Sequence, residues 1–330
     1  MNRLNYPPRL HLAQLPTPLT PLHLPQLSGA QRLWIKRDDL TGSLLSGNKV
    51  RKLEFILAEA QGADTLITCG GLQSNHCRAT AIIAAQQGLH CELILRGEAA
   101  GASDGNLLLA ELAGAQVHTY SAQEYQRNLS QLLSARAEQL ILEGRKPYII
   151  PTGASDEVGL WGYVAAAREL AEDFRKARID NPLVVCAAGS GGTLAGLAVG
   201  LANYCPQAEV LGIAVCDNES YFCRRVEEDV QAAIARYPGS GLKLPVNFTI
   251  NDAYIGPGYA LGYPALFESI STLAAGSGII LDPVYTGKAF YGMLDLLERG
   301  ELSQRDIVFV HTGGIFGVFP QRDNLQLRKV

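Results

Sequence analysis

The sequence predicts an α/β protein built on mostly parallel sheets, and three observations carry that expectation. Short runs rich in Val, Ile and Leu alternate with helix-length segments, each run is nearly continuous in apolar residues, and several end in glycine-bearing turns. A strand covered by helices on both faces loses the alternation of buried and solvated residues, so continuous apolar runs point to a parallel sheet.

Along the chain, residues 33–36 read as a strand, 53–61 as a helix, 64–68 as a buried strand and 74–87 as a helix. Further strands are expected at 91–95, 117–120, 147–151, 183–186, 210–215 and 307–310, each beside a helical stretch. Residues 181–208 carry no charge, but their centre is Gly189-Ser190-Gly191-Gly192-Thr193, so a strand, a turn and a helix explain them better than a membrane span. The first 22 residues are broken by prolines and lack a continuous apolar stretch, so a secretory signal is not expected. There is no fixed-period repeat or low-complexity linker, and a second domain would have to be inserted or closely packed.

The chain has 330 residues, 47% apolar and 18% charged, which allows one large or two modest domains. Its 28 basic and 32 acidic residues give a net charge of −4 without blocks, so no nucleic-acid footprint is visible. The seven cysteines are an odd number with no CxxC pair, which argues against a disulfide scaffold or a zinc site and for a reducing compartment, the cytoplasm. No metal site is expected.

Three glycine-bearing segments could hold an anion. Residues 42–50 end in Asn-Lys-Val where a P-loop needs Gly-Lys followed by Ser or Thr, which disfavours a nucleoside triphosphate. The turn Gly189 to Thr193 has Leu194 where a dinucleotide fingerprint needs its third glycine. What remains is a small-residue turn opening a helix, with several backbone N–H groups and the hydroxyls of Ser190 and Thr193, suited to one phosphate monoester; a close-packed turn without a ligand explains it equally. The third segment, residues 70–76, sets Gln73, Ser74, Asn75 and His76 between a strand and a helix, where ligands sit in open α/β sheets. Ser74 is also a natural N-cap, and a lone His76 is more often a hydrogen-bonded histidine than a catalyst.

Lys49 is the lysine with the strongest case for reactivity. It follows a small-residue turn, and both burial and the neighbouring Arg51 and Lys52 would lower its pKa and favour the neutral nucleophile. The competing reading is a solvated basic face at the start of a helix.

Six motifs then carry a resemblance: SGNKVRKLEF at 46–55, QSNHCRAT at 73–80, GSGGTLAGL at 189–197, GPGYA at 256–260, DPVYTGKA at 282–289 and HTGG at 311–314. In this order, over nearly the whole chain, they resemble the D-cysteine desulfhydrase and 1-aminocyclopropane-1-carboxylate (ACC) deaminase family. The resemblance implies a pyridoxal 5′-phosphate enzyme of the tryptophan-synthase-β fold type (fold type II), usually a homodimer, acting on small amino acids. It makes Lys49 the Schiff-base lysine, Gly189, Ser190, Gly191, Gly192 and Thr193 the phosphate cradle, and Asn75 the partner of the cofactor's phenolic oxygen. Ser74, with the N–H groups of Asn75 and His76, would take the substrate carboxylate. Tyr259 and Tyr285 are similar to the family's two active-site tyrosines, although ordinary packing would be the default for either alone. Lys49 is the first candidate base for the Cα proton, with Tyr285 and Ser74 as alternatives. Ser46 stands where many relatives have a second glycine.

Beside Tyr285 and after His311, Thr286 and Thr312 stand where the ACC deaminases carry Glu and Leu. Neutral hydroxyls facing the pyridine nitrogen would favour an unprotonated ring, sufficient for β-elimination of sulfide and less suited to opening a cyclopropane. The expected reaction is therefore D-cysteine to pyruvate, sulfide and ammonia. An L-cysteate sulfo-lyase is the alternative; it would need a further cation, for which Arg78 is a candidate although an outward position on its helix is expected. ACC deaminase and a non-catalytic pyridoxal-phosphate carrier follow. Because Lys49 and the motifs from 189 onward must meet, residues 1–50 and 161–330 are expected to form a large cofactor-binding domain with 51–160 inserted as a smaller one.

Overall fold

The computed structural model describes residues 4–24, 31–98, 101–244, 246–304 and 306–325. The first segments are β1 (Leu19–Pro21), β2 (Arg32–Lys36), α1 (Asn48–Glu59), β3 (Thr65–Gly71), α2 (Asn75–Gln86) and β4 (His90–Arg96). They are followed by α3 (Gly105–Leu112), β5 (Gln116–Tyr120), α4 (Ala122–Leu142), β6 (Pro147–Ile149) and α5 (Trp161–Ala177). The remainder holds β7 (Leu183–Ala188), α6 (Gly192–Tyr204), β8 (Glu209–Ala214), α7 (Glu219–Arg236), β9 (Thr249–Asn251), α8 (Pro264–Ser277), α9 (Thr286–Glu298) and β10 (Asp306–Val310).

These strands form two sheets. One has the order β1-β2-β10-β7-β8-β9 and the other β5-β4-β3-β6. Every pairing is parallel except β1 with β2. The α/β expectation with mostly parallel sheets therefore holds.

The continuous apolar runs have a simple cause. In the larger sheet Val184, Cys186, Val210, Val308 and Val310 enter one core, while Leu183, Val185, Leu211, Ile213, Ile307 and Phe309 enter another on the opposite face. Both faces are buried, so neither parity of the strand can be polar. The uncharged segment resolves into β7, a turn and α6. Helix α6 lies against α5 so closely that a Cβ on Gly196 would sit 2.3 Å from the Leu160 carbonyl oxygen, and one on Gly200 would sit 2.5 Å from the Ala167 methyl. Small residues here serve helix packing. No helix among the described residues is long and apolar enough to cross a membrane.

Two strands escaped the sequence reading, β1 and β9. Each has three residues and lies at a sheet edge, too short for a periodic signal. The larger correction concerns α1, which begins at Asn48 rather than at residue 53. Its first turn contains Lys49, Arg51 and Lys52, and the last two are buried rather than forming a solvated face. Burial is possible because Arg51 reaches a carboxylate cluster: its Nε donates to Asp38 Oδ2 at 2.9 Å, its Nη2 to Asp38 Oδ1 at 2.8 Å and its Nη1 to Glu169 Oε2 at 3.1 Å. Thr17 and Tyr163 each donate a hydroxyl to Asp38 at 2.7 Å, and Lys36 bridges Glu169 and Asp173.

Burial alone would push the Asp38 carboxyl up, but the Arg51 guanidinium and the hydroxyl donors hold it below the ordinary value. Its contribution to stability is thus present above the unfolded value of about 3.9 and lost as pH falls through the lower folded value. Asp38→Ala should cost roughly 3–5 kcal/mol in urea unfolding, because Arg51 is left as a buried charge lacking its main partner. The variant should also lose part of the acid limb of the stability profile. A change below about 1 kcal/mol would contradict this reading.

Candidate active site

The C-terminal ends of β3 and β7, one from each sheet, open onto a single cavity of about 370 Å³. Lys49, Ser74, Asn75, His76, Gly189, Ser190, Gly191, Thr193, Tyr259, Tyr285 and Thr312 all line it. Eleven of the thirteen residues singled out from the sequence therefore face one space, and Gly192 and Thr286 lie behind its wall.

Lys49 sits on the first turn of α1, after Gly47, whose φ of 82° admits the sharp entry into the helix. The Asn48 N–H donates to the Thr312 carbonyl at 3.0 Å, which ties this turn to the segment after β10. Lys49 Nζ donates to the Gly153 carbonyl at 3.3 Å. Burial lowers its pKa from 10.5 to about 8, against a small opposing influence of Cys77. The expected lowering is present, but its cause is desolvation and not Arg51, whose charge is neutralised by Asp38.

The turn before α6 is more than a packed corner. Ser190 Oγ and Ser155 Oγ are 2.7 Å apart, the Gly192 N–H donates to Ser155 Oγ at 3.3 Å, and Asn48 Nδ2 donates to Thr193 Oγ1 at 3.0 Å. Lys52 completes the arrangement, donating to Ser155 Oγ at 2.9 Å and to the Gly153 carbonyl at 3.3 Å. Its ammonium is fully buried and has no carboxylate within ion-pair distance among the described residues. Burial, and then the charge of Lys49, push its pKa well below the ordinary lysine value. A phosphate dianion at the first turn of α6 would supply the missing counter-charge and meet N–H groups that have no intrahelical acceptor.

Across the cavity, Ser74 caps α2, its Oγ accepting from the Cys77 N–H at 3.2 Å. Asn75 Oδ1 is buried without a partner in the protein, a polar atom left for a ligand. His76 turns inward instead. Its Nε2 lies 2.7 Å from Thr68 Oγ1, and that hydroxyl gives its proton to the Ile150 carbonyl at 2.9 Å. Nε2 therefore carries the ring proton. Burial holds His76 far below its usual pKa and keeps it neutral, and its Nδ1 is buried without a partner in the protein.

Tyr259 and Tyr285 meet edge to face, with ring centroids 6.0 Å apart and their hydroxyls hydrogen-bonded. Burial raises both pKa values, that of Tyr285 well above 10, so both stay protonated at neutral pH.

Thr286 requires a correction. Its hydroxyl donates to Asp282 Oδ1 at 2.7 Å and accepts from the Asp282 N–H at 2.9 Å, and the side chain is fully buried. The only hydroxyl proton is committed to a carboxylate that also accepts from the N–H groups of Val284, Tyr285 and Thr286, so Thr286 builds the start of α9 and presents no free hydroxyl to a ring nitrogen. Thr312 does line the cavity. Arg78 also departs from expectation: rather than facing outward it is buried against Phe316, bonded to the Leu44 carbonyl and to Asn106, and burial lowers its pKa to about 10.

Among the charged residues in or behind the wall, the sequence reading did not assign Lys52, Arg96 and Asp282 to the site. Lys52 lies three positions after Lys49 and so shares its helix face, a relation visible only once α1 starts at Asn48. Arg96 closes β4 beside Gly71, at the strand end where a ligand is expected. Asp282 stands at the head of a quoted motif and was passed over for the residues after it.

The sequence pattern of the family described as pyridoxal-phosphate dependent enzymes matches residues 10–313. The chain belongs to this family. Among curated proteins of this pyridoxal-phosphate group it is 43% identical, over 95% of its length and 80% of the relative, to a mitochondrial bifunctional D-cysteine desulfhydrase/ACC deaminase of Arabidopsis thaliana. It is 41% identical to a D-cysteine desulfhydrase of Klebsiella pneumoniae, over 96% of this chain and 97% of that one. A crystal structure described as an ACC deaminase homologue superposes with a TM-score of 0.84 at 38% identity, covering 96% of this chain and 94% of the other. The resemblance seen in the motifs is thus a family relationship. The residues present fit pyridoxal phosphate: an amine at Lys49, a buried lysine at the glycine turn and, at Asn75, a side-chain amide not fully partnered in the protein, whose NH2 end is the donor a phenolic oxygen takes.

Two measurements test this geometry. In cofactor-free protein the rate of covalent capture of pyridoxal phosphate, followed by absorbance, should rise with pH and level off above about 8, because the neutral fraction of Lys49 grows through that value. A rate still climbing at pH 10 would mean an unperturbed lysine. A Cβ on Gly192 would lie 2.8 Å from Ser155 Oγ and 2.9 Å from Lys52 Nζ, so Gly192→Ala should weaken pyridoxal phosphate binding about tenfold or more with the fold retained.

Proposed function

We propose that this chain is a D-cysteine desulfhydrase, releasing pyruvate, sulfide and ammonia. The observation that carries the reading is the convergence of the Lys49 amine, the Ser74 helix start and the Tyr259–Tyr285 pair on one cavity. The Klebsiella pneumoniae relative named D-cysteine desulfhydrase, aligned along nearly its whole length, supports the choice of substrate.

Pyridoxal phosphate, when bound, supplies an electron sink for the pair left at Cα when its proton is removed. Ser74 and the first N–H groups of α2 bind the substrate carboxylate, where the helix N-terminus favours negative charge. Lys49, poised near neutrality by burial, takes the Cα proton. The tyrosine pair, held protonated, supplies a proton to the departing sulfur, which leaves Ser74 rather than Tyr285 as the alternative acceptor of the Cα proton. Lys52 and the glycine turn hold the phosphate group.

ACC deaminase activity is the second reading, favoured by the Arabidopsis thaliana relative's double name. With Thr286 committed to Asp282, the argument from a free threonine hydroxyl rests on Thr312 alone. On the same proposal, residues 1–50 with 161–330 form the large domain and 51–160 the inserted one, in line with the two sheets. The protein acts as a cytoplasmic homodimer, a placement in keeping with its unpaired cysteines.

Sulfide and pyruvate assays of the purified protein with D-cysteine, L-cysteine, L-cysteate and ACC test the reading. D-Cysteine should give both products at the highest kcat/KM, and Lys49→Ala should lose at least three decades of rate and the covalent cofactor link while staying folded. Higher kcat/KM with ACC or L-cysteate, or full activity of Lys49→Ala, would overturn it.

A further inference from the structure

The cavity holds one cation that neither the cofactor fit nor the proposed proton transfers use. Arg96 ends β4, opposite Gly71 at the end of β3 in the parallel register, so its side chain rises from the sheet edge beside the segment leading to Ser74. Its guanidinium lies over the ring of Tyr259 at 5.1 Å and that of Tyr125 at 5.9 Å. Among the described residues it has no ion pair and donates no side-chain hydrogen bond, unlike Arg51, Arg136 and Arg225, each of which meets a carboxylate. Two aromatic faces fix the position of the guanidinium plane without consuming its N–H donors. A half-buried guanidinium with free donors at the wall of a ligand cavity is a receptor for an oxyanion or a thiolate.

We propose that Arg96 forms a subsite for an acidic sulfur group on the substrate's β-carbon, thiolate or sulfonate, and so sets which side chains the enzyme accepts. The proposal rests on the amino-acid-lyase reading above. The α-carboxylate has its own receptor at the start of α2, which leaves Arg96 for a second negative charge. For a sulfonate, Arg96 supplies the further cation, since Arg78 is buried elsewhere. The contact to Tyr259 puts this group beside the tyrosine pair, where a departing sulfur anion would meet both a cation and a proton donor.

The test compares ligands that differ only in that second charge. The pyridoxal-phosphate-loaded protein and its Arg96→Gln and Arg96→Lys variants are titrated with both enantiomers of cysteate and of alanine, and binding is read from the cofactor absorbance. For the enantiomer that binds, the preference for cysteate over alanine should fall at least tenfold in Arg96→Gln and be partly restored in Arg96→Lys. Equal weakening of both ligands would assign Arg96 to the α-carboxylate and overturn the proposal. An unchanged preference, with or without a fall in kcat, would reduce Arg96 to a support for Tyr259 and overturn it too. Failure of the parent protein to release sulfide from cysteine or sulfite from cysteate would refute the lyase reading separately, since the binding ratio does not depend on turnover.

Discussion

The buried pairing of Arg51 with Asp38 is the constraint on which the site depends. Asp38 follows β2, Arg51 lies on the first turn of α1, and Glu169 and Tyr163 come from α5, so one carboxylate cluster joins three elements. A rotation of α1 by one residue, about 100°, would carry Arg51 toward the cavity and Lys49 away from it. The cost of such a rotation is an unpaired guanidinium inside the protein, with several carboxylates stranded opposite it. The value of the cluster is therefore registry more than net stability, because desolvation consumes much of what a buried ion pair gains. With Arg51 anchored on one side of the turn, Lys49 and Lys52 are presented together on the other.

The electrostatics of the cavity follow from that placement and oppose the sign of the whole molecule. The chain carries a net charge of −4. Yet the first turns of α2 and α6 both open onto the cavity, and Lys49, Lys52 and Arg96 sit in or behind its wall. Partial positive charge at helix starts adds to these cations. Asp282 is the buried carboxylate in the wall, and four donors from its own loop occupy it. An amino acid and a phosphate ester both bring negative charge, so local field rather than net charge decides what enters.

Strands were legible in the sequence because burial on both faces leaves an unbroken apolar run, and eight of the ten could be placed from that signal alone. The start of α1 was not, because three basic residues in four positions read as surface until their partners are known. Asp38, Glu169 and Ser155 lie 13 to 118 positions from the basic groups they bond, and local pattern carries no information at that separation. The glycine turn and the Ser74 cap were legible as chemistry, since both follow from strand-to-helix junctions. Thr286 was misjudged for another reason: its role was carried over from the Glu that the ACC deaminases have at that place, whereas the loop from Asp282 folds back and takes the hydroxyl for itself.

That loop explains how two tyrosines 26 positions apart share one hydrogen bond. Asp282 accepts three consecutive N–H groups and so fixes the entry to α9 and the direction of Tyr285. One turn further on, Lys288 Nζ donates to the carbonyls of Ile255 at 2.6 Å and Gly258 at 2.8 Å, which pins the segment carrying Tyr259. Lys288 is buried and has no carboxylate in ion-pair contact among the described residues, and desolvation lowers its pKa. Its stem on α9 and its head on the loop make the helix a common base for both hydroxyls. Thr286, between the two anchors, contributes by closing the Asp282 turn. The identity of the residue at this position therefore bears on where the two protonated hydroxyls stand in the cavity, although its own side chain lies behind the wall.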